Sequence, residues 1–356
     1  SLAQSNTISV ENAIVNALQS VWQAIKNAIN KLITYVRDWY LKNWDGASRM
    51  KRKAEAIRDK ANKTNGTAEK KKIPVPGMAQ LHIGKAVPSA DQINTSLNEV
   101  REQAASVFSA RQGDKFGDGL SGVADTLDSM KVETKNGSQQ ASVSTAYWSS
   151  VANLLPNATK TYTNAPTGAA ERFSGIEDPA KMVKASGEIC GGKAVMYYIP
   201  AIGAGNSINS SDLADAAIKK SSQAFFDVRD YSDKKVEVDT SKEGEVLKPG
   251  QVGTICQTVI KSMDIIIDFK AAYAKHEKAT KDFLGKMDKI VKGAKAEDES
   301  AEEKARVRLV RTTATACSNM IKSQNRTITS FTGYLMTTSR AALGYCNSSL
   351  SQYKAA

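Results

Sequence analysis

The fold of this chain is decided by residues 301–353, which read AEEKARVRLVRTTATACSNMIKSQNRTITSFTGYLMTTSRAALGYCNSSLSQY. Apolar and small side chains recur there at alternating steps of three and four residues, the spacing of a coiled-coil seam. The stretch therefore predicts one long continuous helix. Its seam positions are Val307, Val310, Ala314, Cys317, Ile321, Gln324, Ile328, Phe331, Leu335, Thr338, Ala342, Tyr345 and Ser349.

A second long helix, over about 254–292, is predicted from the same periodicity. The residues Ser300-Ala301-Glu302-Glu303 form a capping-box pattern that marks the start of the helix that follows. Because a connection this short forces neighbouring helices to run antiparallel, we expect a long helical hairpin over 251–356. The apolar face of its first arm consists of Val259, Met263, Ile266, Tyr273, Thr280, Phe283, Met287 and Ile290.

Residues 1–62 are predicted to form amphipathic and basic helices. The first, 9–45, begins at a possible N-cap, Ser9, and ends before Gly46. The second, 47–62, is mostly charged and has one thin apolar stripe. That stripe consists of Met50, Ala54, Ile57 and Ala61.

The segment 63–88 is predicted to be a linker or an extended arm. A turn sequence, a run of three lysines, three prolines and a glycine all interrupt helical patterning there. His82 falls in this segment and is interpreted as a solvated polar side chain.

Residues 89–250 are predicted to form a mixed helical body. Its first helix begins at a capping box, Ser89-Ala90-Asp91-Gln92. The glycine-rich stretch 112–122 lacks the Gly-Lys-Ser/Thr ending of a phosphate-binding loop and is interpreted as a flexible turn. Helices over about 119–131 and 138–155 follow, separated by a turn at Asn136-Gly137.

A small β-element is expected within this body. Its strands, 193–199 and 235–238, are rich in β-branched and aromatic residues, and a helix over 211–228 lies between them. The predicted fold class is thus mainly α, with long helices, a C-terminal antiparallel helical hairpin and a small β-element in the middle.

Catalytic and metal-binding patterns are missing from the sequence. The two histidines are isolated, and the four cysteines form no C-x-x-C pair, so neither a zinc site nor the usual general base is indicated. His276 is interpreted as structural, and the cysteines are expected to be free thiols. We therefore predict a non-enzymatic protein with no metal and no cofactor.

The positive charge is concentrated at one end of the chain. The net charge is +12, and residues 1–88 hold fifteen Lys or Arg against six Asp or Glu, a net charge of +9. Such a region indicates either an anionic partner or a need for solubility alone. The predicted nucleic-acid-binding residues are Arg49, Lys51, Arg52, Lys53, Arg58, Lys60, Lys63, Lys70, Lys71 and Lys72.

Three of the four tryptophans, Trp22, Trp39 and Trp44, lie in the first predicted helix. They could anchor the helix at a membrane interface. A tryptophan-bearing helix face is more often part of a protein core, so membrane contact is the less favoured of the two readings.

Three features of the sequence resemble internal head proteins of giant tailed bacteriophages. The chain starts at Ser1 rather than Met, as in proteins trimmed by a prohead protease, although an artificial start would look the same. An amphipathic helix runs into DGASRMKRKAEAIRDKA (45–61), similar to the glycine-plus-basic-helix segment of several phage virion proteins. The chain also has the Ser/Ala/Tyr-rich end RAALGYCNSSLSQY (340–353).

The resemblance implies a structural protein of the virion head interior, present in the host cytoplasm during assembly. Such proteins are packaged with the genome, and some are ejected into the host. The expected partners are packaged DNA, bound without sequence preference, and other virion proteins or further copies of the chain, bound through the helices. The alternative function is a helical membrane-active protein, such as a pore-forming toxin or translocator, for which 193–204 is a short candidate stretch.

Overall fold

The computed structural model describes residues 2–135, 137–202, 211–294 and 301–353. Within these ranges, side chains are not described at 2–12, 133–135, 138–142, 211–214 and 301–302.

The protein is mainly α-helical, as the sequence predicts. In chain order the elements are α1 (Leu2–Asn62), β1 (Lys72–Pro74), α2 (Met78–Leu81), α3 (Ala90–Val107), α4 (Ala110–Asp128), β2 (Lys131–Lys135), β3 (Ser138–Ser142), α5 (Thr145–Leu154), β4 (Thr163–Asn164), α6 (Thr167–Glu171), α7 (Pro179–Met182), β5 (Lys184–Ala185), β6 (Lys193–Tyr198), α8 (Ser211–Ser221), β7 (Phe225–Asp230), β8 (Glu243–Glu245), α9 (Pro249–Asp268), α10 (Lys270–Lys292) and α11 (Ala301–Leu350).

The predicted C-terminal antiparallel hairpin is confirmed. Helix α11 is one arm, and α9 and α10, separated only by Phe269, are the other. The antiparallel direction is visible at the far end of the hairpin, where the backbone N–H of Leu247, just before α9, donates to Ser349 Oγ near the end of α11 (3.0 Å).

Helix α1 lies along both arms and completes a three-helix core. It runs antiparallel to α9 and α10, because Trp22 contacts Asp288 whereas Arg58 contacts Gln257. It runs parallel to α11, since Gly46 faces Met336 and the groove beside Leu18 is shared with Val307. The coiled-coil seam of α11 is therefore buried by α1 as well as by the other arm, and β7 adds to it where Phe226 contacts Phe331.

The prediction that α1 is two helices separated at Gly46 is wrong, and so is the N-cap at Ser9, since the helix begins at Leu2. Gly46 stays inside the helix at a point of close helix contact, because a Cβ there would come within 3.0 Å of Met336 Cε. The close approach to α11 outweighs the intrinsic cost of a helical glycine, which is about 1 kcal/mol relative to alanine.

The glycine-rich stretch 112–122 is helical and belongs to α4, so the flexible turn predicted there is wrong. Phe116, Leu120 and Val123 are buried at helical spacing. Glycines allow α5 to approach this helix closely: a Cβ on Gly119 would lie 2.8 Å from the carbonyl oxygen of Ser150.

The remaining body differs from the prediction in its strands. The capping box at Ser89 and the strand after residue 193 are confirmed. The partner strand is β7, which falls in the end of the predicted 211–228 helix, and 235–238 forms no strand. Residues 138–142 form the second strand of the β2–β3 hairpin rather than the start of a helix.

The segment 63–88 is anchored to the core and is not a free arm. Ile73, Val75, Met78 and Leu81 are all at most 4% exposed, and β1 pairs antiparallel with β8. His82, expected to be solvated, is only 7% exposed, and its Nδ1 lies 2.9 Å from the carbonyl oxygen of Gly84. Alternating apolar residues anchor this segment despite its prolines.

Candidate nucleic-acid interface

The last four turns of α1 have one buried face and one exposed face. Met50, Ala54, Ile57 and Ala61 are at most 8% exposed and belong to the same hydrophobic cluster as α3, α9 and the end of α11. This confirms the apolar stripe predicted from the sequence. With the apolar side packed, the helix presents its opposite side to solvent.

Five of the ten predicted cationic residues share that exposed side. Their spacing of 3, 1, 7 and 3 residues keeps them within about 100° of helix circumference at 3.6 residues per turn. They extend over fourteen residue steps, from Arg49 to Lys63, the first residue after α1, a length of about 21 Å. We call this set the basic stripe: Arg49, Arg52, Lys53, Lys60 and Lys63, all exposed.

The charges of the basic stripe are available to a ligand. Within the part of the chain that the structure describes, none of the five side chains takes part in an ion pair or side-chain hydrogen bond. The nearest carboxylate on this side of the helix is Asp59, which lies at the edge and pairs with Arg58 at 3.5 Å. The stripe ends before Asp45 at one end and at the turn around Gly66 (φ 91°) at the other.

Two of the predicted residues are turned towards α9 instead of solvent. Lys51 Nζ lies 2.7 Å from Asp264 Oδ1, and this hydrogen bond raises the pKa of Lys51 above its usual value. Arg58 Nη1 donates to Gln257 Oε1 at 3.0 Å. These two side chains hold α1 against α9, so we assign them a structural role.

Lys70, Lys71 and Lys72 form a separate group next to acidic residues. All three are exposed, but Lys72 stands opposite Glu245 in the pairing of β1 with β8, and Pro74 stands opposite Glu243. Carboxylates so close reduce the local positive potential. These three lysines therefore attract an anion less strongly than the basic stripe does.

Of the three tryptophans of α1, Trp22 is buried and Trp39 and Trp44 are half-buried against the core. Trp22 is 3% exposed and its indole N–H donates to Asp288. Trp44 donates to the carbonyl oxygen of Ile267 at 3.1 Å, and Lys270 lies over its ring at 4.1 Å. Membrane contact through these rings would require the helix to leave the bundle. Over the described residues, no helix has both the length and the apolarity of a membrane span.

The described residues contain no group of three or more His, Cys, Asp or Glu side chains placed to hold a metal ion. His276 is buried beside Phe116 and Tyr273, and burial lowers its pKa to about 4. All four cysteines are buried and free.

Sequence reasoning identified the cations but not which of them share a face. The helical phase of α1 alone does not separate the two sets, because at 100° per residue Lys53 lies as close to the apolar stripe as Arg58 does. The packing of α9 against one side of the apolar stripe decides that Lys51 and Arg58 are paired. The same phase places Lys31 and Lys42 in line with the stripe, but Asp38 and Asp45 interrupt that extension.

The family model of phiKZ-like phage internal head proteins matches residues 1–348. No curated protein and no solved structure matches the chain. The match covers nearly the whole sequence, so the chain belongs to the phiKZ-like phage internal head proteins, structural components of the interior of the virion head.

Proposed function

We propose that this internal head protein has no enzymatic activity and contacts the packaged DNA through the basic stripe. The observation that carries the proposal is the row of five exposed cations, four on one face of α1 and Lys63 directly after its last residue, none of which pairs with another described residue. A row of about 21 Å faces a length of duplex that carries about twelve phosphates, at one phosphate per 1.7 Å of axis. Each cation thus has a phosphate within reach.

The stripe has the chemistry of backbone contact and lacks that of base reading. Base edges are read mainly by Arg, Asn, Gln and acidic side chains held in a groove. Single strands are bound largely by stacking on aromatic rings. The exposed residues of α1 from Arg49 to its end at Asn62, other than the cations, are Ala56, Asp59 and Asn62, and Asn62 lies on the side towards Gly253 of α9. Duplex DNA bound without sequence preference fits this surface best.

Substitution, not deletion, is the appropriate test, because the opposite face of the same turns is part of the core. We would replace Arg52, Lys53, Lys60 and Lys63 by Gln and titrate two unrelated duplexes over a range of salt concentrations. If each side chain neutralises one phosphate, the slope of log affinity against log salt should become less steep by about 3.6.

The matched control removes four exposed, unpaired lysines elsewhere: Lys234, Lys235, Lys275 and Lys289. It has the same net charge as the stripe variant and should keep the steep slope. A third variant with Lys70, Lys71 and Lys72 changed to Gln should show a smaller loss than the stripe variant. Equal losses in the stripe variant and the control would mean that net charge alone drives binding, and a preference for one duplex would contradict backbone recognition.

Other virion proteins and further copies of the chain remain proposed partners, bound through exposed helix faces. The resemblance also implies that some family members leave the head with the genome. Detection of the chain inside host cells after infection with labelled virions would test ejection. Retention of all the label with the emptied particles would contradict it.

A further inference from the structure

An apolar groove lies at the other end of α1, far along the helix from the basic stripe. It opens between residues 13–18 of α1, helix α8 and the first half of α11, and its volume is about 750 Å³. Ile14, Leu18 and Val307 line it with apolar surface, and the small side chain of Ala17 keeps it open. These apolar side chains provide a surface against which a hydrocarbon tail can pack.

The charged side chains at the groove that form no ion pair with other described residues are positive. Lys219, Lys304 and Arg311 line it, are exposed, and form no ion pair with other described residues. Among the described lining residues the one carboxylate is Asp215, whose Oδ2 lies 2.7 Å from Arg308 Nε and whose Oδ1 is buried without a hydrogen-bond partner. Of the described side chains at the mouth of the groove, an anionic group would therefore meet three exposed cations and no exposed carboxylate.

We propose that this groove is a binding site for a single-chain anionic amphiphile, such as a long-chain carboxylate. The tail packs against the apolar side chains of α1 and α11, and the anionic head lies at Lys219, Lys304 and Arg311. Small-molecule sites are typically clefts of about 300–1,000 Å³, mostly apolar with a few polar groups, and often lie between helices of bundles. The groove has these properties.

The chemistry of the described lining favours a small amphiphile over a partner helix. The volume of about 750 Å³ lies within the range of small-molecule clefts, and three exposed cations stand beside its apolar side chains.

Calorimetry of the intact chain with decanoate, below its micelle concentration, tests the proposal. We expect saturable binding of one decanoate per chain. Decyltrimethylammonium, which has the same tail and the opposite charge, should bind at least tenfold more weakly, and neutral decyl maltoside should be intermediate. Equal affinity for the three head groups, or no saturable binding of decanoate, would overturn the proposal.

Two substitutions locate the site. Ala17→Phe fills the groove and should reduce decanoate affinity more than tenfold, and Thr315→Phe, on the opposite wall, should do the same. The matched control, Ala56→Phe, adds the same ring to an exposed alanine of the same helix and should leave affinity unchanged. Arg311→Gln should weaken decanoate several-fold without affecting decyl maltoside.

Other outcomes would identify a different occupant or site. Unchanged binding in both filled variants would place the amphiphile elsewhere on the surface. Self-association of the wild-type chain that is lost in Ala17→Phe would mean that a second copy covers the groove, and would overturn the proposal. Circular dichroism of each variant establishes that the helices are intact.

Discussion

Helices α1 and α11 run side by side, yet they are buried to different extents. Between Ile328 and Cys346 the buried positions of α11 cover about 220° of its circumference, whereas those of α1 between Ala47 and Ala61 cover about 80°. Helix α11 is therefore covered on most sides in this range, whereas α1 leaves a wide face exposed to solvent. Stability therefore depends mostly on α11, and surface charge on α1 is free for binding.

The largest effect should come from the centre of α11. Phe331 is fully buried, and its ring meets that of Phe226 edge-on at 5.1 Å between centroids. Phe331→Ala should lower the free energy of unfolding by about 3–5 kcal/mol, through lost burial and the cavity left behind. Urea unfolding followed by circular dichroism measures this. Arg340→Ala, an exposed site on the same helix, should change stability by less than about 0.5 kcal/mol, and an equal loss at both sites would contradict the central role of α11.

A smaller, pH-dependent effect is expected at His276 in α10. Burial lowers its pKa from 6.5 in the unfolded chain to about 4, so the folded state holds the ring neutral. Between these two values the unfolded state binds more protons, and stability falls as pH drops from 6.5 towards 4. The total loss should be about 3 kcal/mol, at 1.36 kcal/mol per pKa unit.

The measurement for His276 is the free energy of unfolding between pH 7 and pH 4, compared with that of His276→Leu. Because leucine does not titrate, the difference between the two curves isolates the histidine from the carboxylates, which also titrate in this range. Parallel curves for the wild-type protein and His276→Leu would show that the imidazole takes up its proton in the folded state as it does in the unfolded state.

Helix α4 provides a matched pair of glycines. Gly119→Ala should cost about 1–3 kcal/mol, since the new Cβ would lie 2.8 Å from the backbone oxygen of Ser150 and 2.9 Å from Leu154 Cδ2. Gly113→Ala meets no atom within 4 Å and should stabilise the helix by about 0.5–1 kcal/mol. Thermal melting of the two variants gives the sign of each change, and stabilisation by both would mean that α5 does not approach α4 closely.

The sequence predicts α11 nearly to the residue, because its apolar spacing is unbroken from Val307 to Tyr345. It fails at α4 because the intrinsic preference of glycine favours a turn, while tertiary packing against α5 needs a residue without a side chain. It fails at β7 because Phe225-Phe226-Asp227-Val228 follows a helical pattern with no break that marks the change to a strand. The cations of α1 were identifiable by composition, but their division between solvent and α9 depends on the helix phase set by the core.

The smallest effect on stability should come from the basic stripe itself. Changing Arg52, Lys53, Lys60 and Lys63 to Gln removes no described ion pair and keeps good helix-forming residues, so each substitution should alter the free energy of unfolding by less than about 0.5 kcal/mol. Removal of like charges from one face offsets part of any loss. Lys51→Gln serves as the comparison on the same helix, because it breaks the pair with Asp264. The two side chains are 34% and 40% exposed, so solvent screens the pair and its loss should cost little. Urea titrations at low and high salt should therefore show a salt-dependent difference for Lys51→Gln and almost none for the stripe variant. A stripe variant that unfolds at a much lower urea concentration would mean that these cations stabilise the fold. The stripe would then not be the free surface that the proposed DNA contact requires.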